Sequence, residues 1–190
     1  MSSKKITILK EKEAEDFLEK NGFNVVPRIF IKNKEELKKV FSELSFPIVI
    51  KNPNLLHKSE QNGVMMDVTS DSLFEAYSKI GSESVILQKQ LRGIEIILGI
   101  KQDPAFGHVI LCGSGGIYTE FNRNTSFRVF PITEKDAANM LDEASLLQPL
   151  NGARGKQFNL KSVISSIMLL SKLIECRPDT SELDINPLIV

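Results

Sequence analysis

Glu182-Leu183-Asp184-Ile185-Asn186-Pro187 alternates oxygen-bearing side chains with apolar ones at a period of two. An extended backbone with that period aims Glu182, Asp184 and Asn186 at one face and Leu183 and Ile185 at the other. Two carboxylates and a carboxamide in a row are costly beside a core. Hard oxygen donors suit Mg2+, which takes one or two protein groups and fills its shell with water and phosphate oxygens. The segment reads either as a magnesium-nucleotide site on a strand or as a solvated edge strand.

Working back from this strand, the pattern alternates irregularly between helical and extended periods. Helices are expected over 11–21, stopped by Asn21 and Gly22, from Asn33 through Leu37, Val40 and Phe41, over 71–80, from Glu134, and over 160–174. Strands are expected at 25–31, 47–51, 64–68, 84–90, 94–101, 107–112, 117–121 and 125–130. Between Asn52 and Gly63 the periodicity vanishes, which predicts a long loop carrying His57, Lys58 and Ser59. Adjacent hairpin-like strands among helices make the chain mixed α/β or α+β, too irregular for a doubly wound parallel sheet.

Several residues interrupt this pattern with chemistry. Lys51 closes the apolar run Ile48-Val49-Ile50, so a cation emerges at a strand tip, either as a phosphate partner or simply reaching solvent. Glu95 lies inside the apolar run 94–98, where an acid must be paired or face a cleft. Gly113, Ser114, Gly115 and Gly116 follow a strand and form either an amide cradle for an anion or a tight turn. They fit neither the dinucleotide fingerprint nor a Walker loop. Gly152-Ala153-Arg154-Gly155 offers a guanidinium among small residues, and Arg128 is either a phosphate clamp or a solvated strand arginine. His57, one of two histidines, is available as a nucleophile or acid/base.

Length and charge bound the possibilities. At 190 residues the chain can bury one core, or two small lobes sharing a hinge. Lys and Arg total 24 and Asp and Glu total 24, so no whole-molecule field recruits nucleic acid or an anionic membrane. No apolar run approaches the ~20 residues of a membrane span, and the N-terminus lacks a signal-peptide pattern. A soluble, cytoplasmic protein is expected. Cys112 and Cys176 lack metal-ligand spacing and read as reduced core residues.

In order along the chain, these pieces resemble the ATP-grasp beta subunit of ADP-forming acyl-CoA synthetases, of the acetate-CoA ligase type. The resemblance rests on 46–51, on Leu55, Leu56, His57, Lys58 and Ser59 with Gly63 and Val64, and on 93–131 with Glu95, Asp103, Phe106, the glycine loop, Glu120 and Arg128. The 152–155 cluster and the closing run 182–190 complete it.

The resemblance implies a single ATP-grasp domain whose two lobes clasp a nucleotide. The lid lobe is expected at 22–88 and the other lobe at 1–21 plus 89–190. It implies ATP or ADP with Mg2+, and an alpha subunit that supplies CoA and acyl binding in a hetero-oligomer. His57 would carry a phosphoryl group from that partner to ADP, so that acyl-CoA, ADP and phosphate give acid, CoA and ATP, reversibly. Lys51, Gln88, Glu95, Gly113, Gly115, Gly116 and Arg154 would bind nucleotide, Arg128 would stabilise the transferring group, and Asp184 and Asn186 would hold the metal.

Two departures accompany it. Gln88 is followed by Lys89 where the family commonly has glutamate. The family chain usually continues past the final motif to a further metal-binding aspartate, whereas this one ends at Val190, leaving that ligand to water, to a partner or absent. The alternative reading is a shortened, non-catalytic relative that binds nucleotide or a partner.

Overall fold

The computed structural model describes residues 6–55, 63–115, 124–151 and 159–190, and the chain divides at Gln90/Leu91 into two compact units. In the first, helix α1 (Glu11–Lys20) precedes β1 (Arg28–Ile31), α2 (Lys34–Val40) and a 3-10 turn (Phe41–Glu43). Then come β2 (Ile48–Lys51), β3 (Val64–Val68), α3 (Leu73–Lys79) and β4 (Val85–Lys89). α2 begins where the sequence predicts, because the Asn33 side chain accepts a hydrogen bond from the Glu36 amide at 3.0 Å.

The four strands pair antiparallel in the order β1-β4-β2-β3. Residues directly opposite in register share a face. Ile31, Val85, Leu87, Ile48 and Ile50 therefore form one face, which joins Leu37, Leu73, Ala76 and Tyr77 in a buried core. The register places Arg28, Gln88, Val49, Phe30, Ile86 and Lys51 on the opposite face.

The second unit holds β5 (Glu95–Asp103), β6 (Gly107–Ser114), β7 (Thr125–Val129), α4 (Glu134–Glu143), α5 (Leu147–Leu150), α6 (Leu160–Cys176) and β8 (Glu182–Ile189). Its sheet is also antiparallel, in the order β7-β6-β5-β8, so the last strand of the chain returns to pair with β5. α4 and α6 cover one face, with Ile96, Leu98, Ile100, Ile110, Cys112, Met140, Ile167 and Leu170 buried among them. The β5–β6 hairpin is closed by Asp103, whose Oδ1 accepts from the amides of Ala105 at 2.8 Å and Phe106 at 3.0 Å, and by Gly107 at φ +74°.

Two antiparallel sheets, the first with α2 and α3 on its core face and α1 on the other, the second with α4 and α6 on one face, make the fold α+β in detail. The strand expected at 117–121 lies outside the described residues. α5 was not foreseen, being only four residues long. The expectation that 1–21 belongs with the second lobe is corrected, since α1 lies in the first unit. Its carboxylates reach three strands there: Glu15 accepts from Gln88 of β4 at 3.0 Å and from Lys51 of β2 at 3.3 Å, and lies 3.2 Å from Arg28 of β1. The apolar stripe of α1 could have packed on either lobe, and the polar side of the helix decides the matter.

Candidate functional site

β8 carries out the alternation read from its sequence: Glu182, Asp184 and Asn186 are exposed, while Leu183 and Ile185 are partly buried. Pairing fixes which face each occupies. Leu98 and Ile100 of the helix-covered core oppose Ile185 and Leu183, whereas Gly99 opposes Asp184 and Lys101 opposes Glu182 on the open face. After Ile185 the register shifts, so that Asn186 and Pro187 lie between the Leu98–Ile185 and Ile96–Leu188 pairs.

Glu95 shares the open face by its even spacing, four residues, from Gly99 along β5. Leu111 of β6 and Phe127 of β7 continue the Gly99 row. On this face a hollow of about 280 Å3 is bounded by Gly99, Lys101, Leu111, Phe127, Glu182 and Asp184, with Gly99 leaving it room. Burial of the Asp184 carboxyl, although the residue as a whole is exposed, and then the Glu182 charge push its pKa above the ordinary aspartate value. A carboxylate so crowded favours whatever neutralises it, a proton or a cation. The donor set of Asp184 and Asn186 fits Mg2+, a hard cation that needs few protein oxygens. Among the described residues no group of three or more His, Cys, Asp or Glu is gathered to hold a metal by itself.

The glycine run is only partly an anion cradle. The Gly115 amide donates to the Glu95 carbonyl at 2.8 Å, so it is spent in the sheet. A Cβ at Gly115 would come within 2.8 Å of the Ile96 backbone, and one at Gly113 within 2.6 Å of the Thr125 side chain. Close strand approach therefore accounts for these two glycines. Gly116, His57 and Arg154 lie outside the described residues.

Arg128 does not join the Asp184 face. It pairs in register with Ile110 on the helix-covered face, where its guanidinium forks onto Glu143 of α4 at 2.5 and 2.9 Å. Ser126 donates to the same carboxylate at 2.5 Å. The hydrogen bonds from Arg128, then Ser126, hold Glu143 down at about 2. Arg128 is here a brace between β7 and α4. Nothing in the bare sequence marks Glu143 as its partner.

In the first unit, Lys51 and Gln88 share one sheet face, as the nucleotide reading requires, but both meet α1. Lys51 Nζ lies 2.9 Å from Glu11 Oε1 and 3.3 Å from Glu15 Oε1. Gln88 is buried and donates to Glu15 at 3.0 Å and to the Val26 carbonyl at 3.3 Å. Arg28 meets Glu15, Asp16 and Glu19. Burial alone would lower the pKa of this guanidinium, but hydrogen bonds to Asp16 and Glu19 and the Glu15 charge raise it. Sequence reasoning overlooked Glu11, Glu15 and Arg28. The signal available was the acid spacing of 11, 15 and 19, which sets three carboxylates on one side of α1.

The family described as ATP-grasp domain matches residues 1–190. The chain is 34% identical to the acetate-CoA ligase (ADP-forming) I subunit beta of Pyrococcus furiosus, over 95% of this chain and 84% of that one. It is also 34% identical to acetate-CoA ligase (ADP-forming) I of Archaeoglobus fulgidus, over 91% of this chain but only 27% of that relative's length. Among solved structures, the dinucleotide forming acetyl-coenzyme A synthetase 1 of Ca. Korarchaeum cryptofilum superposes with a TM-score of 0.78 at 29% identity, over 96% of this chain and 85% of the other. That structure is in complex with coenzyme A and Mg-AMPPCP, its phosphohistidine segment pointing towards the nucleotide binding site.

Proposed function

The chain belongs to the ATP-grasp domain family, and from that premise we propose that it is the nucleotide-binding part of an ADP-forming acyl-CoA synthetase, relaying a phosphoryl group through His57 to ADP. The observation that carries this reading is the row of oxygen donors on β8, with Asp184 beside a hollow on the open face of its sheet. The likeness to ADP-forming acetate-CoA ligase beta subunits supports the choice of reaction.

Asp184 and Asn186 would hold Mg2+, which when bound neutralises phosphate charge and orients the oxygens around phosphorus. Lys51 would supply a compact cation to the nucleotide phosphates. In the relay, a β-phosphate oxygen of ADP bonds to phosphorus as the N–P bond of phosphorylated His57 breaks, leaving a neutral imidazole and ATP. In reverse, the His57 imidazole attacks the γ-phosphorus of ATP. Glu95, on the same face as Asp184, would orient nucleotide groups through hydrogen bonds to its carboxylate. Arg154 would add a guanidinium to the phosphates, joined by the Gly116 amide. In this structure Arg128 and Gln88 also tie their elements together, through Glu143 and Glu15.

CoA and the acyl group would bind on an alpha subunit or a further domain, in keeping with a relative nearly four times as long as the matched stretch. The test is to incubate the chain with Mg·ATP and search by mass spectrometry for acid-labile phosphate. Phosphate on His57, lost in His57→Ala while nucleotide still binds, supports the relay. Nucleotide binding without phosphate on His57 contradicts it and favours a non-catalytic binding module.

A further inference from the structure

We propose that α1 carries an internal substitute for nucleotide phosphate: the Glu11 and Glu15 carboxylates hold Lys51 and must release it before Lys51 can bind phosphate. This rests on the reading of Lys51 as a phosphate-binding residue. The contacts are 2.9 Å to Glu11 and 3.3 Å to Glu15, made by a lysine whose side chain is 22% exposed. Oxygens of a carboxylate and of a phosphate make the same charge-assisted hydrogen bonds to an ammonium group, so the two compete for one donor.

The arrangement suits exchange. When Lys51 leaves, Glu15 keeps the Gln88 amide at 3.0 Å and the Arg28 guanidinium at 3.2 Å, so this buried carboxylate is not stranded. Its Oε2 is buried without a hydrogen-bond partner and faces Arg28 only through charge. A hollow of about 400 Å3, bounded in part by Arg28, Phe30 and Ile86, opens on the same sheet face, and Ile86 stands directly opposite Lys51 in register.

The charges around it point the same way. Lys12, Arg28 and Lys51 are linked to Glu11, Glu15, Asp16 and Glu19, three cations against four carboxylates. A phosphate reaching any of these three cations must displace a carboxylate from it. Glu11 and Glu15 are thus positioning residues that weaken nucleotide affinity through Lys51.

Calorimetry with Mg·ADP on the 190-residue chain tests this with E11Q, E15Q and K51M, each also followed by thermal unfolding. E11Q and E15Q are expected to bind about two- to fivefold more tightly, the range expected for one ion pair at a partly exposed site. Their melting temperatures are expected to fall or stay level, whereas a merely structural role would weaken binding and stability together. K51M is expected to bind more weakly than wild type. If K51M weakens binding but E11Q and E15Q leave it unchanged or weaker, the latch is overturned and the nucleotide reading stands. If wild type and K51M bind alike, the role of Lys51 falls and the latch with it. If neither wild type nor E11Q nor E15Q binds, both readings are overturned.

Discussion

Asp184, proposed to hold the metal, carries a carboxylate that its own surroundings disfavour. Its carboxyl titrates above the ordinary aspartate range because burial and then Glu182 disfavour the charge. A folded-state pKa above the unfolded one means the folded chain holds more protons within that window, so stability falls as pH rises through it. At neutral pH the residue costs stability. Asp184→Asn is therefore expected to leave the melting temperature of the ligand-free chain unchanged or raised, within the ~0.5 kcal/mol usual for surface changes, while weakening Mg-dependent nucleotide binding. For the same reason, affinity for Mg·ADP is expected to decline on acidification at a higher pH than an ordinary aspartate near 3.8 would give. Titration calorimetry across pH reads this out. Cys112 makes a contrasting case: it is fully buried, its thiol is pushed up to about 12, and it is expected to resist a thiol reagent that labels exposed Cys176 in the native chain. Both thiols should react in denaturant.

At the scale of elements, the strands and helices were legible because each carries its own period, and β8 most plainly, where charge and apolarity alternate within six residues. The partners of charged side chains were not legible, because pairing is set by register and by helices distant in sequence. Arg128 reads as a clamp until β6 assigns it the face of Ile110 and α4 brings Glu143. That brace has a pH signature. Glu143 titrates at about 2 when folded, below the usual glutamate value of 4.5, so its stabilising effect is present above that value and is lost as pH falls towards 2. Glu143→Gln is expected to lower the melting temperature at neutral pH, with the difference from wild type vanishing in acid. Gly115 invites a second test of an element boundary. An alanine there would place Cβ against the Ile96 backbone, and a cost of about 1–3 kcal/mol by denaturant unfolding is expected.

For the whole molecule, two lobes were expected and two units are found, but the first includes α1 and extends to Gln90. The membership of α1 was hidden because an apolar stripe names no destination, whereas the Glu15 contacts to three strands do. Among the described residues no helix is long and apolar enough to cross a membrane. The chain spans most of a beta subunit but only about a quarter of a longer relative. What the ordered motifs conveyed was the family. What they could not convey was that Lys51 and Gln88 meet carboxylates of α1, an arrangement visible only once the sheet and helix are assembled.

We propose that Asp184 anchors a magnesium-nucleotide in this chain. Isothermal calorimetry with Mg·ADP, on wild type and Asp184→Ala side by side, measures that anchoring. Saturable binding that weakens at least about tenfold in the variant, a loss of ~1.4 kcal/mol, is the predicted result. Equal binding by the two proteins, or no binding by wild type at millimolar nucleotide, would contradict it.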